Sequence, residues 1–158
     1  MVRPAHPADA DALSALVTNS GMFDDAGTRE VHDTLAGHLD GENGDALWLV
    51  ADDGEPVGVL FAAPEPMTDG TWNALMLIVR PDRHGRGHAQ ALMGALDSAL
   101  ADRGARLLLV ETSSLDEYER ARAFYPANGF REEARVRDYY QAGDDKIIFS
   151  RPVTSARG

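Results

Sequence analysis

Leu75-Met-Leu-Ile-Val-Arg-Pro-Asp-Arg-His-Gly-Arg-Gly-His-Ala-Gln-Ala-Leu-Met93 is the stretch that decides the fold. Residues 75–79 have the length and composition of a buried strand, which Pro81 ends because proline donates no backbone hydrogen bond. A glycine turn follows, and then an apolar pattern typical of a helix. Glycines let successive N–H groups turn toward one point, and the helix N-terminus adds unpaired donors. The stretch therefore predicts a site for a diphosphate, with Arg83 and Arg86 adding positive charge.

The elements on either side of this stretch alternate between strands and helices. Asp9 and Thr28 are expected to cap two early helices, and two further helices are expected, one that Arg103-Gly104 ends and one over residues 116–127. A turn at Gly143-Asp144-Asp145 separates the last two strands. The predicted strands are residues 1–5, 46–51, 57–63, 72–79, 107–110, 130–136 and 145–149.

This order predicts the α/β class. Sequential hairpins indicate a mixed, mostly antiparallel sheet, and the strand–helix–strand unit from 72 to 110 predicts a parallel central strand pair joined by a right-handed crossover. Helices are expected on both faces of the sheet, in one domain over residues 1–158 with a core over 46–150.

The composition disfavours several classes of function. Fifteen Lys and Arg against 26 Asp and Glu give a formal net charge of −11, which is unfavourable for sequence-independent nucleic-acid binding. The absence of cysteine excludes disulfides, thiolate metal ligands and a cysteine nucleophile. His6, His32 and His38 have no metal-ligand partners at useful spacing, so no metal site is predicted. Without an apolar run of membrane-spanning length or a hydrophobic signal core, we expect a cytoplasmic protein that does not contact membranes.

Three motifs together resemble the GNAT superfamily of N-acetyltransferases, which use acetyl-coenzyme A to acetylate amines. His84-Gly-Arg-Gly-His-Ala89 is similar to the pyrophosphate motif Gln/Arg-x-x-Gly-x-Gly/Ala, with histidine at its first position. Ala121-Arg-Ala-Phe-Tyr-Pro-Ala-Asn-Gly-Phe130 resembles the signature Ala-x-x-Φ-Tyr-x-x-x-Gly-Phe, where Φ is apolar. Residues 77–79 resemble the strand beside the pantetheine. The resemblance covers most of residues 46–150, and residues 1–45 would be the variable helices on the acceptor side.

The resemblance implies acetyl-coenzyme A as the cofactor. Its pantetheine would pair with the backbone near Leu77, Ile78 and Val79, where one N–H would polarise the thioester carbonyl. Its phosphates would lie on backbone N–H groups of the glycine turn. The cofactor-binding residues predicted in the turn are Arg83, His84, Gly85, Arg86, Gly87, His88, Ala89 and Gln90.

Two residues are candidates for catalysis. Tyr125 falls on the tyrosine of the family signature and would protonate the departing thiolate, because a phenol with a reference pKa of about 10 is protonated at neutral pH. The alternative is a core tyrosine at helical spacing. Glu111, just past strand 107–110, would accept the proton of the amine directly or through water, or it forms only a structural pair or cap. Pro126 is expected to kink the helix next to Tyr125.

The acceptor is expected to be the primary amine of a small molecule. Phe23, Asp24 and Glu30 occupy the region that resembles the acceptor-shaping loop of the family, where an aromatic ring beside carboxylates suits a cation; the alternative is a solvated acidic loop. Trp72 and Asn73 are candidates to line the acceptor pocket, with core packing as the alternative for Trp72. Protein N-terminal or lysine acetylation and non-catalytic acyl-CoA sensing are the other functions that stay open. A homodimer is expected only by analogy with the family.

Overall fold

The computed structural model describes residues 1–42 and 44–153. Residues 43 and 154–158, which the predicted domain includes, lie outside the described residues. The strands are β1 Val2–Pro4, β2 Leu47–Asp52, β3 Pro56–Pro64, β4 Thr71–Val79, β5 Leu107–Ser113, β6 Arg131–Gln141 and β7 Asp144–Pro152. The α-helices are α1 Ala10–Ser20, α2 Asp25–Leu39, α3 His88–Asp102 and α4 Glu119–Ala127.

The described strands form one sheet in the order β1-β2-β3-β4-β5-β7-β6. β4 and β5 pair in parallel, and every other neighbouring pair is antiparallel. Helix α3 connects the two parallel strands. The predicted α/β class, with a mostly antiparallel sheet and a parallel central pair, is confirmed.

The sheet opens between β4 and β5. Their pairing runs from Thr71 with Leu107 to Ala74 with Val110 and then stops, although β4 stays paired with β3 as far as Val79. A β-bulge coincides with the opening: Phe61 of β3 is opposite Met76 and the next residue, Ala62, is opposite Ala74. Leu75 is therefore the extra residue of β4. From this residue onward, one edge of β4 has no partner strand in the described part of the chain.

The helices cover both faces of the sheet, as predicted, and each face has its own hydrophobic core. The first core packs α3 and α4 against residues such as Leu108 and Val110, and the second packs α1 and α2 against residues such as Trp48 and Met76. The 3.6-residue period of α3 explains its inner face, since its apolar stripe is at most 2% exposed. That stripe is Leu92, Met93, Leu96 and Leu100. None of the helices in the described residues is long and apolar enough to cross a membrane.

Several element boundaries differ from the predictions, and β6 and β7 are longer than expected, ending at Gln141 and Pro152. Helix α2 begins at Asp25, because the extended residue Asp24 is the N-cap and its carboxylate accepts a hydrogen bond of 2.7 Å from the Gly27 N–H; the predicted cap, Thr28, lies inside the first turn. Strand β5 continues to Ser113 through its pairing with β7, so Glu111 lies within the strand. The last hairpin turns at residues 142–143 rather than at 143–145. Helix α4 continues through Pro126 to Ala127.

Candidate functional site

The opened edge of β4 forms one wall of a cleft of about 460 Å³. Leu77 and Val79 line this wall, and Phe124 and Tyr125 of α4 line the wall opposite. Ile78 does not line the cleft, because it points to the other face and is buried in the core under α1 and α2. The residues of the glycine turn that border the cleft are Arg83, His84, Gly85, Gly87, His88, Ala89 and Gln90.

The glycine turn has the backbone geometry of an anion-binding loop. Gly85 and Gly87 have φ angles of 76° and 83°, which are left-handed, and Gly87 is the N-cap of α3. A Cβ on either glycine would meet no atom within 4 Å, so these positions need glycine for the φ angle and not for space. The first helical hydrogen bond of α3 runs from the Ala91 N–H to the Gly87 carbonyl, at 2.9 Å. The N–H groups of residues 88–90 precede that bond and have no helical acceptor.

Two basic side chains at the turn have polar atoms without a hydrogen-bond partner in the described residues. The Nε atom of Arg83 and the Nε2 atom of His88 are buried and form no hydrogen bond with the described residues. Each lies 3.9 Å from a carboxylate oxygen of Asp53, which is too long for a hydrogen bond. Because buried polar atoms are normally hydrogen-bonded, these two atoms and the unpaired N–H groups fit a phosphate-bearing ligand.

His84 replaces the usual first residue of the motif, and its side chain bonds to the protein itself. Its Nε2 atom lies 2.8 Å from the Val79 carbonyl oxygen. Since a carbonyl only accepts, the ring donates this hydrogen bond. The bond ties the glycine turn to the end of β4. Arg86 does not border the cleft.

Tyr125 is a nearly buried residue, 8% exposed, that reaches the cleft from α4. Its ring centroid lies 5.5 Å from that of Phe124 and 5.6 Å from those of Phe130 and Phe149. Burial raises the pKa of the phenol to about 12, and the hydroxyl has no hydrogen-bond partner among the described residues. A protonated phenol thus borders the cleft.

Glu111 lies at the opening on the opposite face of the sheet. Its neighbour Val110 packs under α3, so the alternation along β5 turns Glu111 toward the α1/α2 face. One carboxylate oxygen accepts a hydrogen bond of 3.1 Å from the Asn73 amide, and the other lies 3.0 Å from Nζ of Lys146. The same Asn73 amide donates to Glu65 at 3.0 Å. Asn73 is only 3% exposed, which fixes the geometry of this network.

Lys146 is a part of this network that sequence reasoning missed. Burial lowers the pKa of Lys146, but the hydrogen bond and the charge of Glu111, together with the contact to Tyr139, raise it by more, so the pKa is raised overall. Its ammonium also lies 4.2 Å from the ring centroid of Tyr139. In the register of β5 and β7, Lys146 is opposite Ser113, two residues from Glu111 on the same face. The pairing of these two strands is the signal that reveals the contact.

The other residues predicted to bind the acceptor lie in different parts of the structure. Phe23 and Glu30 line a second groove, on the α1/α2 face, together with Leu75. Asp24 is the N-cap of α2. Trp72 packs in the core under α3, as in the alternative given for it, with the Arg103 guanidinium 5.5 Å from its ring centroid. Within residues 1–42 and 44–153, no group of three or more histidine and acidic side chains is placed to hold a metal ion.

Comparisons with known proteins agree on one family. The model of an acetyltransferase (GNAT) domain matches residues 43–132. A GNAT-family protein from Desulfovibrio desulfuricans has 29% identity and a TM-score of 0.90, with 98% of this chain and 99% of that chain covered. The ribosomal-protein-S18-alanine N-acetyltransferase from Escherichia coli has 21% identity and a TM-score of 0.77, with 99% and 95% covered.

A further solved structure is an aminoglycoside 6'-N-acetyltransferase complexed with coenzyme A. It has 18% identity and a TM-score of 0.79, with 98% of this chain and 97% of that chain covered. At such identities the likeness to this enzyme and to the Escherichia coli enzyme is one of fold. No curated protein sequence matches the chain.

Proposed function

The chain belongs to the GNAT family and is an acyltransferase, and we propose that it transfers an acetyl group from acetyl-coenzyme A directly to the primary amine of a small molecule. One observation carries this proposal: the unpaired edge of β4, the glycine turn before α3 and the phenol of Tyr125 border the same cleft. An extended acyl carrier with a diphosphate at one end fits this arrangement.

In the proposed complex, backbone groups hold most of the cofactor, which supplies the acetyl group as a thioester. The N–H groups of residues 88–90 and the buried nitrogens of Arg83 and His88 would bind its phosphates. The edge of β4 at residues 77–79 would pair with its pantetheine like an added strand, through the backbone groups other than the Val79 carbonyl, which accepts from His84. One N–H of this edge would then stabilise the negative charge that develops on the thioester oxygen.

Tyr125 would act as the general acid. Its proton would pass to the sulfur as the carbon–sulfur bond breaks, so that the leaving group departs as a thiol. With a pKa of about 12, the phenol keeps its proton throughout the neutral range, but it is a weaker acid than a free phenol. General acids work best with a pKa near the working pH. Proton donation by Tyr125 should therefore accelerate the reaction about 100-fold, near the lower end of the usual 10² to 10⁴ range.

Glu111 would accept the proton of the incoming ammonium, directly or through water. Asn73 and Lys146 each donate to one of its oxygens, which fixes the carboxylate beside the opening of the sheet. Tyr125 approaches that opening from the α3/α4 face, and Glu111 from the α1/α2 face. The acid and the base would therefore act on the reacting atoms from opposite sides.

Two measurements test the proposal. Calorimetry compares coenzyme A and acetyl-coenzyme A with ATP, and we expect only the first two to bind. Release of free thiol is then followed with acetyl-coenzyme A and a panel of amines that includes small molecules and peptides. Failure to bind coenzyme A would refute the proposal. Binding without acetyl transfer to any amine would favour a sensor, and transfer only to peptides would favour a protein acetyltransferase.

A further inference from the structure

A second groove, of about 230 Å³, lies on the α1/α2 face of the sheet. Glu30 is its charged lining residue; it is exposed and so lies at the rim. The Thr34 hydroxyl, also in the lining, donates a hydrogen bond of 2.8 Å to the Glu30 backbone carbonyl. The walls are otherwise mostly apolar: Phe23, Val31, Trp48, Phe61, Leu75 and Met76.

This groove ends beside the opening of the sheet. Leu75 is the bulge residue of β4 and is 48% exposed. It follows Ala74, and Glu111 follows Val110, where Ala74 and Val110 form the last β4–β5 pair. Leu75 and Glu111 are thus the first residues beyond the pairing on neighbouring strands, which lie about 4.8 Å apart while paired. The hydrogen bond from Asn73 to Glu111 keeps the carboxylate on the face of the groove.

Building on the proposed function, we infer that the acceptor is a primary amine carrying a small apolar substituent, an aryl or branched alkyl group. The substituent would occupy the groove, and the amine would lie at its open end beside Glu111. Apolar walls favour such a group because they remove it from water. The groove is below the 300–1,000 Å³ or so of pockets for drug-sized ligands, which limits the substituent to about one ring or a short branched chain.

The same walls disfavour a polyhydroxylated or polyamine acceptor. Most of the hydroxyl or ammonium groups of such a molecule would lose water in the groove without gaining a partner, because the walls offer few hydrogen-bonding groups. The carboxylate at the rim, Glu30, can meet only a group that stays near solvent. The inference therefore separates apolar monoamines from aminoglycosides and from spermidine-like amines.

The test compares kcat/KM for 2-phenylethylamine, isoamylamine, methylamine, spermidine and an aminoglycoside, with acetyl-coenzyme A saturating. We expect the two apolar amines to exceed spermidine and the aminoglycoside at least tenfold. Val31→Phe fills the groove and should lower kcat/KM at least tenfold for the apolar amines, mainly through KM. Methylamine has no substituent that reaches the groove, so its kcat/KM should change less than twofold.

Ala36→Phe is the matched control, because it adds the same ring on the exposed side of α2. It should leave every amine within twofold of the wild type, and unchanged coenzyme A affinity would show that both variants fold. A preference for spermidine or the aminoglycoside, or an equal loss for all amines in Val31→Phe, would overturn the inference while leaving the proposed function standing. Binding of coenzyme A without turnover of any amine would refute both.

Discussion

Replacing Tyr125 with phenylalanine removes one hydroxyl from the cleft and keeps the ring between Phe124, Phe130 and Phe149. If the phenol is the general acid, kcat should fall about 100-fold, which corresponds to about 2.7 kcal/mol in the activation barrier. The free energy of unfolding should change by less than about 1 kcal/mol, because the hydroxyl has no hydrogen-bond partner among residues 1–42 and 44–153.

The assay is free-thiol release at saturating amine and acetyl-coenzyme A, with coenzyme A affinity measured by calorimetry on the same preparation. Tyr118 lines the same cleft, so Tyr118→Phe is the control for loss of a hydroxyl from the cleft that leaves the acid in place, and its kcat should stay within about threefold of the wild type. An unchanged kcat in Tyr125→Phe would refute the acid role. Equal losses of kcat and of coenzyme A affinity would show that Tyr125 only shapes the cleft.

Tyr125 should also affect how the rate and the stability of the protein depend on pH. Burial raises the pKa of the phenol to about 12, so the proton is fully present below about pH 10 and the wild-type rate should not decline on this account at lower pH. In the unfolded chain the phenol ionises near pH 10. The folded protein should therefore lose stability as the pH rises from about 10 toward 12, and Tyr125→Phe should lose less. Equal losses of stability in the wild type and in Tyr125→Phe over this pH range would contradict the raised pKa of Tyr125.

Three further substitutions test the glycine turn and two ion pairs. Gly87→Ala imposes a left-handed φ on alanine, a strain of about 1–2 kcal/mol, and should weaken coenzyme A binding about tenfold or more by calorimetry. Gly94→Ala inside α3 is the control. Equal coenzyme A affinities in the two variants would contradict a role of the glycine turn in binding. Arg151→Met breaks a largely buried ion pair that joins β7 to α3, so the free energy of unfolding in urea should fall by about 3 kcal/mol. A fall of less than about 1 kcal/mol would show that the ion pair does not stabilise the fold. The Arg3 guanidinium lowers the pKa of Asp9, so this stabilisation is present above about pH 4 and is lost as the pH falls further. Arg3→Met should flatten that acid dependence of the melting temperature, and an unchanged slope would contradict the pairing.

Local patterns predicted most of the fold because the forces behind them act over a few residues. The apolar spacing of residues 92–100 indicated the buried face of α3, and the proline after Val79 marked the end of β4. The glycine turn was also readable, since only glycine adopts its left-handed angles easily. The start of α2 was predicted incorrectly because Asp24 and Thr28 are both good caps, and only the path of the chain decides between them.

The contacts among Asn73, Glu111 and Lys146 could not be predicted in the same way, because they depend on pairing between distant strands. Asn73 and Glu111 are 38 positions apart in sequence, and their contact follows from the register of β4 with β5. Lys146 joins them only because β7 lies beside β5. The bulge at Leu75 is likewise a property of two strands together, so no pattern within β4 alone indicates it.

The unpaired edge of β4 also links the folding of this protein to its ligand. Alternate backbone groups of residues 75–79 face a gap inside the sheet, so the native sheet is incomplete by one strand. In the proposed complex the cofactor would fill this gap and bind only the folded chain, and it would stabilise that chain by about 2.7 kcal/mol at a concentration 100 times its dissociation constant. The melting temperature should then rise with the concentration of the cofactor. In a cell with little cofactor, a larger fraction of the enzyme would be unfolded.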